Sequence, residues 1–343
     1  MIGVPILNNR RKFLLHKAIK QTNFTHPTVL VDTPWSFVEL WLKRHKKPGL
    51  SYWIQARRFY EIAMTSSTEV APLASYYMML NAIKCLLLVK HISTREQHGV
   101  SGRRDVSAKA RLGNEKAIFH QRGTFPAFCR FLGESRINSE YSLKEILYNI
   151  PFIRRAYNLT YSDPELFIPI ENPVYVRHPQ RSQHEAWFEA QISLTVLDRR
   201  YPTGVPRSLD IFEQDKKLYV RRKKGFIWIN YNTSIDRINR YHSRIRRVVV
   251  PISGPRTLWY LKKIYRRNTL LHRYYLPLLF AAMHRLSELS RYDPDGLVQY
   301  LSGQPSWLLK EFVTIAPHQF IDQLASEITG INFLPPQIRG VMH

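Results

Sequence analysis

Arg267, Asn268 and His272 fall in one short string, RNTLLH, and their types and spacing suit cleavage of RNA without a metal. Set on a helix, an arginine and a histidine about a turn apart face one cleft. The guanidinium steadies a phosphate, the imidazole takes the proton of a 2′-hydroxyl, and Asn268 orients the two. The same spacing recurs at Arg11 with His16 and at Arg237 with His242, as a chain so rich in both residue types makes inevitable. A plain basic helix face is the simpler account of the string.

A second constellation sits in apolar surroundings. Tyr77, Asn81 and Lys84 are neighbours on one face of the run LASYYMMLNAIKCLLLVKHI, and burying an amide and an ammonium costs on the order of several kcal/mol unless partners satisfy them. One reading makes them line a polar pocket for a phosphate or a base, completed by His98, Arg291 and Tyr292. The other makes them a hydrogen-bond network that pins this helix to its neighbours.

The third constellation is charge itself. With 51 Lys and Arg against 26 Asp and Glu, the 343 residues carry a formal +25. A phosphate polymer is the partner that such a surplus suits best. The cations Arg221, Arg222, Lys223, Lys224, Arg237, Arg240, Arg244, Arg246, Arg247, Lys262, Lys263 and Arg266 interleave with Trp228, Tyr231 and Tyr241. Cations track phosphates and exposed rings stack on bases. If the rings are core residues, the cations still leave a phosphate-binding surface. No code for bases is legible in this pattern, so backbone or shape recognition is expected. An acidic protein, an anionic membrane face or a merely basic proteome would explain the charge as well. No nucleotide-binding glycine loop, HExxH or GxSxG is present. Asp198, Asp210, Glu213 and Asp215 match no metal spacing and read as solvent-facing turn residues, so no metal or cofactor is expected.

The elements that must position these groups follow from periodicity. Residues 1–30 read as a basic arm with at most one short helix. Thr33 caps a helix starting at Pro34 and stopped by Lys47, Pro48 and Gly49. Ser51 opens a second helix with Trp53, Ala56, Tyr60, Ala63 and Met64 on one side. The run from Leu73 is apolar nearly all round, hence central, and residues 51–92 form a helical hairpin. Five glycines and many cations between His98 and Arg136 predict a loop-rich basic segment that a ligand could order. Ser142 and Glu145 form a capping box for a helix that Pro151 ends. Ala190, Ile192, Leu194 and Val196 alternate as a strand does. Leu218–Val220 and Phe226–Ile229 predict a hairpin with Arg221 to Lys224 at its tip, and 247–252 a further strand. From Thr257 to Tyr292 the pattern predicts helix, broken near Pro277, and a last helical piece spans 319–328. Cys85 and Cys129 lack any paired spacing and read as reduced, packed thiols. The Leu73 run is read as a core helix and not a membrane span, and the first residues do not fit a secretory signal, so a cytoplasmic protein is expected.

The blocks FYEIA, PLASYYMMLNAIKCLL, His98 with Gly99, GTFPAF, LKEILYNIP and LSELSRYDP together resemble, in this order, the YaaC-like family of bacterial proteins. The resemblance spans roughly Tyr52 to Gly330. It implies a bacterial setting and a mainly helical fold, and no established reaction. RNTLLH is also similar to the R-N-x-x-x-H motif of HEPN-type ribonucleases, which are small helical bundles. The expected architecture is therefore α+β: a mainly helical bundle, of HEPN type or otherwise, with a small inserted antiparallel sheet. Its parts are a basic arm (1–30), an N-terminal helical part (31–160), a basic β-rich insertion (165–255) and a C-terminal helical part (256–343) packed on the first helices. The expected function is nucleic-acid binding through the insertion, as a subunit of a bacterial antiviral or mobile-element system with protein partners. The alternatives are a metal-independent ribonuclease and an adaptor for an acidic protein.

Overall fold

The computed structural model describes residues 2–8, 10–105, 111–134, 138–178, 184–193, 203–264 and 270–336. Elements are numbered in chain order. The chain forms two compact units, each built from separated stretches: a sheet unit of Met1–Asp32, Leu166–Arg266 and Gly330–His343, and a helical unit of Thr33–Glu165 and Arg267–Thr329.

The sheet unit is organised on β8 (Phe167–Arg177) and β9 (Glu185–Ile192), with β10 (Leu209–Gln214), β11 (Lys217–Arg222), β13 (Val249–Ile252) and β14 (Leu258–Lys262). The order β10-β11-β9-β8-β14-β13 is antiparallel throughout. Alternate residues on one face, among them Ile168, Ile170, Phe188, Ala190, Val220 and Leu261, make the core. One helix, α7 (Tyr231–Ile245), presses Ile238, Tyr241 and Ile245 onto it, at the spacing of a single helix face. Each such side chain contributes about 1.5–3 kcal/mol by leaving water. Asn230 starts the helix by accepting the Thr233 amide at 3.0 Å.

Four expectations for this unit change. The first thirty residues are not an arm. Their short strands β1 (Val4–Pro5), β2 (Leu7–Asn8), β3 (Arg11–Lys12) and β4 (Val29–Leu30) belong to the sheet unit, where Ile6, Phe13 and Leu15 join the core and bond to the backbone of β8. Their apolar residues follow no period because they fill gaps over a sheet made elsewhere. The hairpin is β10-β11, turning at Asp215 and Lys216, both with positive φ as a two-residue loop requires. Arg221 and Arg222 lie in the strand, while β12 (Phe226–Ile227) pairs with β9. Gly225 is there because a Cβ would come within 2.8 Å of the Ala186 carbonyl oxygen. Residues 258–262, expected as helix, form β14, since a five-residue apolar run fits either period. Finally α7 went unforeseen, having three core-facing apolar residues among many charges.

The helical unit centres on α3 (Ala71–Val89), which packs on α2 (Leu50–Thr65), α8 (Tyr275–Tyr292) and α10 (Ser306–Thr329). It is long and apolar enough to cross a membrane, and most of it is buried among these neighbours. Cys85 on α3 and Cys129 on α4 (Thr124–Leu132) are buried without a disulfide, and burial pushes the Cys85 thiol up to about 12. The Ser142 and Glu145 capping box starts α5 (Leu143–Tyr148) as expected. Thr33 does not cap α1 (Trp35–Arg44); Pro34 occupies the cap position, and Gly49 precedes α2 in a left-handed conformation. The expected loop-rich stretch after His98 instead holds a three-stranded sheet of β5 (Val100–Arg104), β6 (Glu115–Phe119) and β7 (Ser139–Ser142), with α4 between its last two strands. Gly99, Gly123 and Gly133 serve its junctions with positive φ. Its residues 106–110 and 135–137 lie outside the described residues. The short α6 (Arg154–Thr160), α9 (Pro294–Ser302) and, in the sheet unit, β15 (Phe333–Leu334) complete the elements. The fold is thus α+β, and it is not a mainly helical bundle with a small insertion.

Glu115 is fully buried on β6 and ties that strand to two helices. It accepts Arg104 Nε at 2.5 Å, Arg285 Nη2 at 2.6 Å and the Tyr300 hydroxyl at 2.6 Å. A buried carboxylate so surrounded is costly to remove, because Arg285 would stay buried with its main partner gone. Glu115→Ala is expected to lower unfolding free energy by about 3–5 kcal/mol. Glu61→Ala, which breaks an exposed pair with Arg57, should lower it by less than about 1 kcal/mol. Denaturant titration of the two variants checks the contrast.

In the sheet unit, His242 is fully buried, with Nδ1 accepting the Tyr175 hydroxyl at 2.7 Å and Nε2 donating to Ala18 O at 2.7 Å. Burial, then the charge of Arg246, lowers its pKa from 6.5 to about 3, and neighbouring His16 is lowered too. The unfolded chain therefore takes up protons that the native unit refuses. Stability is fully present above about pH 6.5 and falls as pH drops toward 3. The melting temperature should drop by roughly 5–10 °C between neutral pH and pH 4.5. In His242→Gln that dependence should flatten; an unchanged slope would assign the protons elsewhere.

Candidate nucleic-acid interface

The core-facing residues of α7 decide what its other side presents. With Ile238, Tyr241 and Ile245 inward, Arg237, Arg240 and Arg244 fall at i, i+3 and i+7 on the exposed side, along about 10 Å of helix axis. Arg247, also exposed, continues the row just past the helix. The ion pairs of the sheet unit lie elsewhere, joining Glu189 to Arg221 and His178, and Asp210 to Lys223. Among the described residues Arg237, Arg240 and Arg244 have no carboxylate within ion-pair distance. The charged side of the helix is a ridge of guanidinium groups.

Arg222 on β11 stands beside this ridge. Its guanidinium lies 4.6 Å from the centre of the Tyr241 ring, whose hydroxyl accepts the Phe188 amide at 3.1 Å. Burial foremost, with the charge of Arg244 adding to it, draws its pKa below the ordinary arginine value. Its Nη1 is buried and has no hydrogen-bond partner among the described residues. Arg177, at the end of β8, donates Nη2 to Ile229 O just before α7, and its Nε is likewise without a partner. A lone arginine closing a strand gives no signal in a sequence, and Arg177 was not foreseen.

The other expected cations divide by burial. Arg221 is buried and pairs with Glu189 at 2.5 Å. Arg246 is buried, donating to the carbonyls of Val249 and Lys17 and lying 5.1 Å from the Trp259 ring centre. Lys262 and Lys263 are buried too. These four leave the surface set, because strand alternation and helix packing turn them inward. Lys223 and Lys224 are exposed, the former 3.4 Å from Asp210. Trp228 and Tyr241 are core residues, so the rings are inside and the cations outside. Arg266, Arg267, Asn268 and Asp198 lie outside the described residues. His272 is exposed in a non-helical stretch before α8, so the helix expected to carry it begins after it. Among the described residues no group of His, Cys, Asp and Glu is arranged to hold a metal.

The expected polar pocket belongs to the helical unit and is partly brought together. Asn81, 5% exposed, donates Nδ2 to Tyr77 O one turn back at 2.8 Å, and so is satisfied within its own helix. Tyr77 stacks on Phe59. Lys84 is half-buried, 5.4 Å from the Tyr52 ring centre. The hydroxyl that reaches His98 is that of Tyr76, at 2.5 Å from Nδ1. Arg291 donates Nε to Ser287 O at 3.2 Å and lies against Tyr292, which is 76% exposed. Burial first, then the charges of Lys84 and Arg291, lowers the basicity of His98. Tyr76 and His98 are thus brought together, while Asn81 serves the helix.

A family model described as YaaC-like Protein matches residues 7–328, spanning α7 and α3 alike. No curated protein and no solved structure matches the chain. By a match over nearly its whole length, the chain belongs to the YaaC-like protein family.

Proposed function

We propose that this protein binds the phosphate backbone of nucleic acid through the exposed side of α7. The observation that carries the reading is the row Arg237, Arg240 and Arg244, in register on one helix face and without carboxylate partners among the described residues. Guanidinium forks meet phosphate oxygens in pairs. Beside the exposed Asp236, the outward groups of the helix are arginines and small polar side chains, a set with no pattern that tells one base from another. Recognition of backbone follows from that. A setting in bacterial antiviral defence or in a mobile element would give such binding a use, with further subunits supplying specificity.

Binding of this kind releases counterions in proportion to the phosphates neutralised. For a short duplex, the slope of log K against log salt should be about −3 or steeper. Arg237→Ala, Arg240→Ala and Arg244→Ala should each flatten it by about one unit, weakening binding without altering the melting temperature. Fluorescence anisotropy from 50 to 200 mM salt reads both quantities. Wild-type protein that ignores DNA and RNA at the lowest salt yet captures an acidic protein would make it an adaptor instead.

His272 supplies a separate check. Exposed and outside the α7 row, it can be replaced by alanine with RNA affinity and melting temperature unchanged. Loss of RNA cleavage in that variant, starting from a wild type that cleaves, would replace the binding reading with a ribonuclease.

A further inference from the structure

The sheet of the first unit has a second face, which α7 does not cover. Along β10 and β11, Leu209, Ile211, Leu218 and Val220 serve the core, so Phe212, Tyr219 and Arg221 turn to the other side. Phe212 and Tyr219 stand directly opposite in register, both partly exposed, and their rings stack with centres 5.5 Å apart and planes 20° apart. The pair is held firmly from one end. The Arg221 guanidinium lies 4.4 Å from the centre of the Phe212 ring and is itself fixed by Glu189 at 2.5 Å. Glu189 in turn accepts the Gly3 amide at 3.0 Å and meets His178 Nε2 at 2.6 Å. A ring stacked at the end of such a chain has little rotamer freedom left to lose on binding.

The other end is open. Among the described residues the Tyr219 ring meets no aromatic ring but Phe212, has no cation over it, and its hydroxyl makes no hydrogen bond. On the side of Tyr219 away from Phe212, the residue in register is Gln191 of β9, partly exposed, whose amide makes no hydrogen bond among the described residues either. Residues paired in this way have Cβ atoms about 5 Å apart, so an amide stands beside the uncovered ring face. Lys217, two residues before Tyr219 and hence on the same side of the sheet, is exposed and forms no ion pair among the described residues. In the sheet unit as a whole, lysines and arginines outnumber aspartates and glutamates more than two to one.

A rigid ring with one free face, an amide at its side and a cation close by ask for a flat aromatic group with a polar edge and a negative tail. We propose that Tyr219 and Gln191 seat an unpaired base of single-stranded nucleic acid, with Lys217 meeting its phosphate. Stacking covers the face of the base while the amide reaches its edge. In a duplex both base faces are already covered, so this place selects single strands. The inference rests on the nucleic-acid reading of the sheet unit and adds to it, since the row on α7 takes backbone of either kind.

The test uses the full chain and two labelled strands with the same number of phosphates, an oligothymidine and an abasic spacer strand, titrated at one salt concentration by fluorescence anisotropy. The oligothymidine is expected to bind about tenfold tighter. Tyr219→Ala should remove most of that margin and Gln191→Ala about threefold of it, each leaving affinity for the abasic strand unchanged, which also shows that the variant is folded. Tyr219→Trp, a larger ring, should keep the margin. Equal affinity of the wild type for the two strands, a margin that survives Tyr219→Ala, or one indifferent to Gln191→Ala would overturn the site. Arg237→Ala, Arg240→Ala and Arg244→Ala together should weaken both strands by the same factor. If they change neither strand while Tyr219→Ala still removes the margin, the α7 reading fails and the base site stands; the reverse pattern fails the base site alone.

Discussion

The buried carboxylate of Glu115 is the constraint on which the helical unit depends. A full negative charge inside a protein is tolerable only when donors surround it, and Arg104, Arg285 and Tyr300 come from β5, α8 and α9 to do so. Satisfying one carboxylate thereby sets the small sheet against two helices. Arg285 turns its second nitrogen to Glu288, which also takes the Gly102 amide, so the rotation of α8 is fixed over a full turn. That rotation sets the His284 ring edge-on against Tyr76, whose hydroxyl meets His98.

The sheet unit is held by a different means. Its interior cations, Arg221 and Arg246, are met by Glu189 and by main-chain carbonyls respectively, while Arg237, Arg240 and Arg244 stand exposed on α7. Both outcomes stem from the same segment of high positive charge. Inward positions found partners within the fold. Outward positions on α7 carry arginines with no carboxylate at ion-pair distance among the described residues.

Much of the helical unit was legible in the amino-acid pattern. The capping box at Ser142 and Glu145 is local chemistry, and the apolar run of α3 declares a central helix wherever it occurs. All six sequence blocks that resemble the family fall in this unit. The sheet unit was harder to read because its evidence is non-local. Phe13 and Leu15 make sense only against β8, and Trp259 and Leu261 count as strand residues only beside Ile170 and Ile168. At the sites, spacing found Arg237, Arg240 and Arg244, but not that Arg246 turns inward two residues later. It named Tyr77 where Tyr76 is the residue touching His98, since adjacent tyrosines on a buried helix differ only in direction.

One consequence follows from where the two ends of the chain go. Strand β4 pairs in parallel with β15, about three hundred residues later, and Lys17 Nζ is capped by the carbonyl of Phe333. In sequence the sheet unit is interrupted by the two stretches of the helical unit, and it is completed only with β15. On a ribosome, Ile6, Phe13 and Leu15 would wait with apolar faces open until β8 and the strands beside it had emerged, a delay in which helices 35–160 can already have collapsed. Such nesting makes the amino-terminal residues the natural client of a chaperone during synthesis, and makes truncation at residue 330 costlier than the few residues removed would suggest.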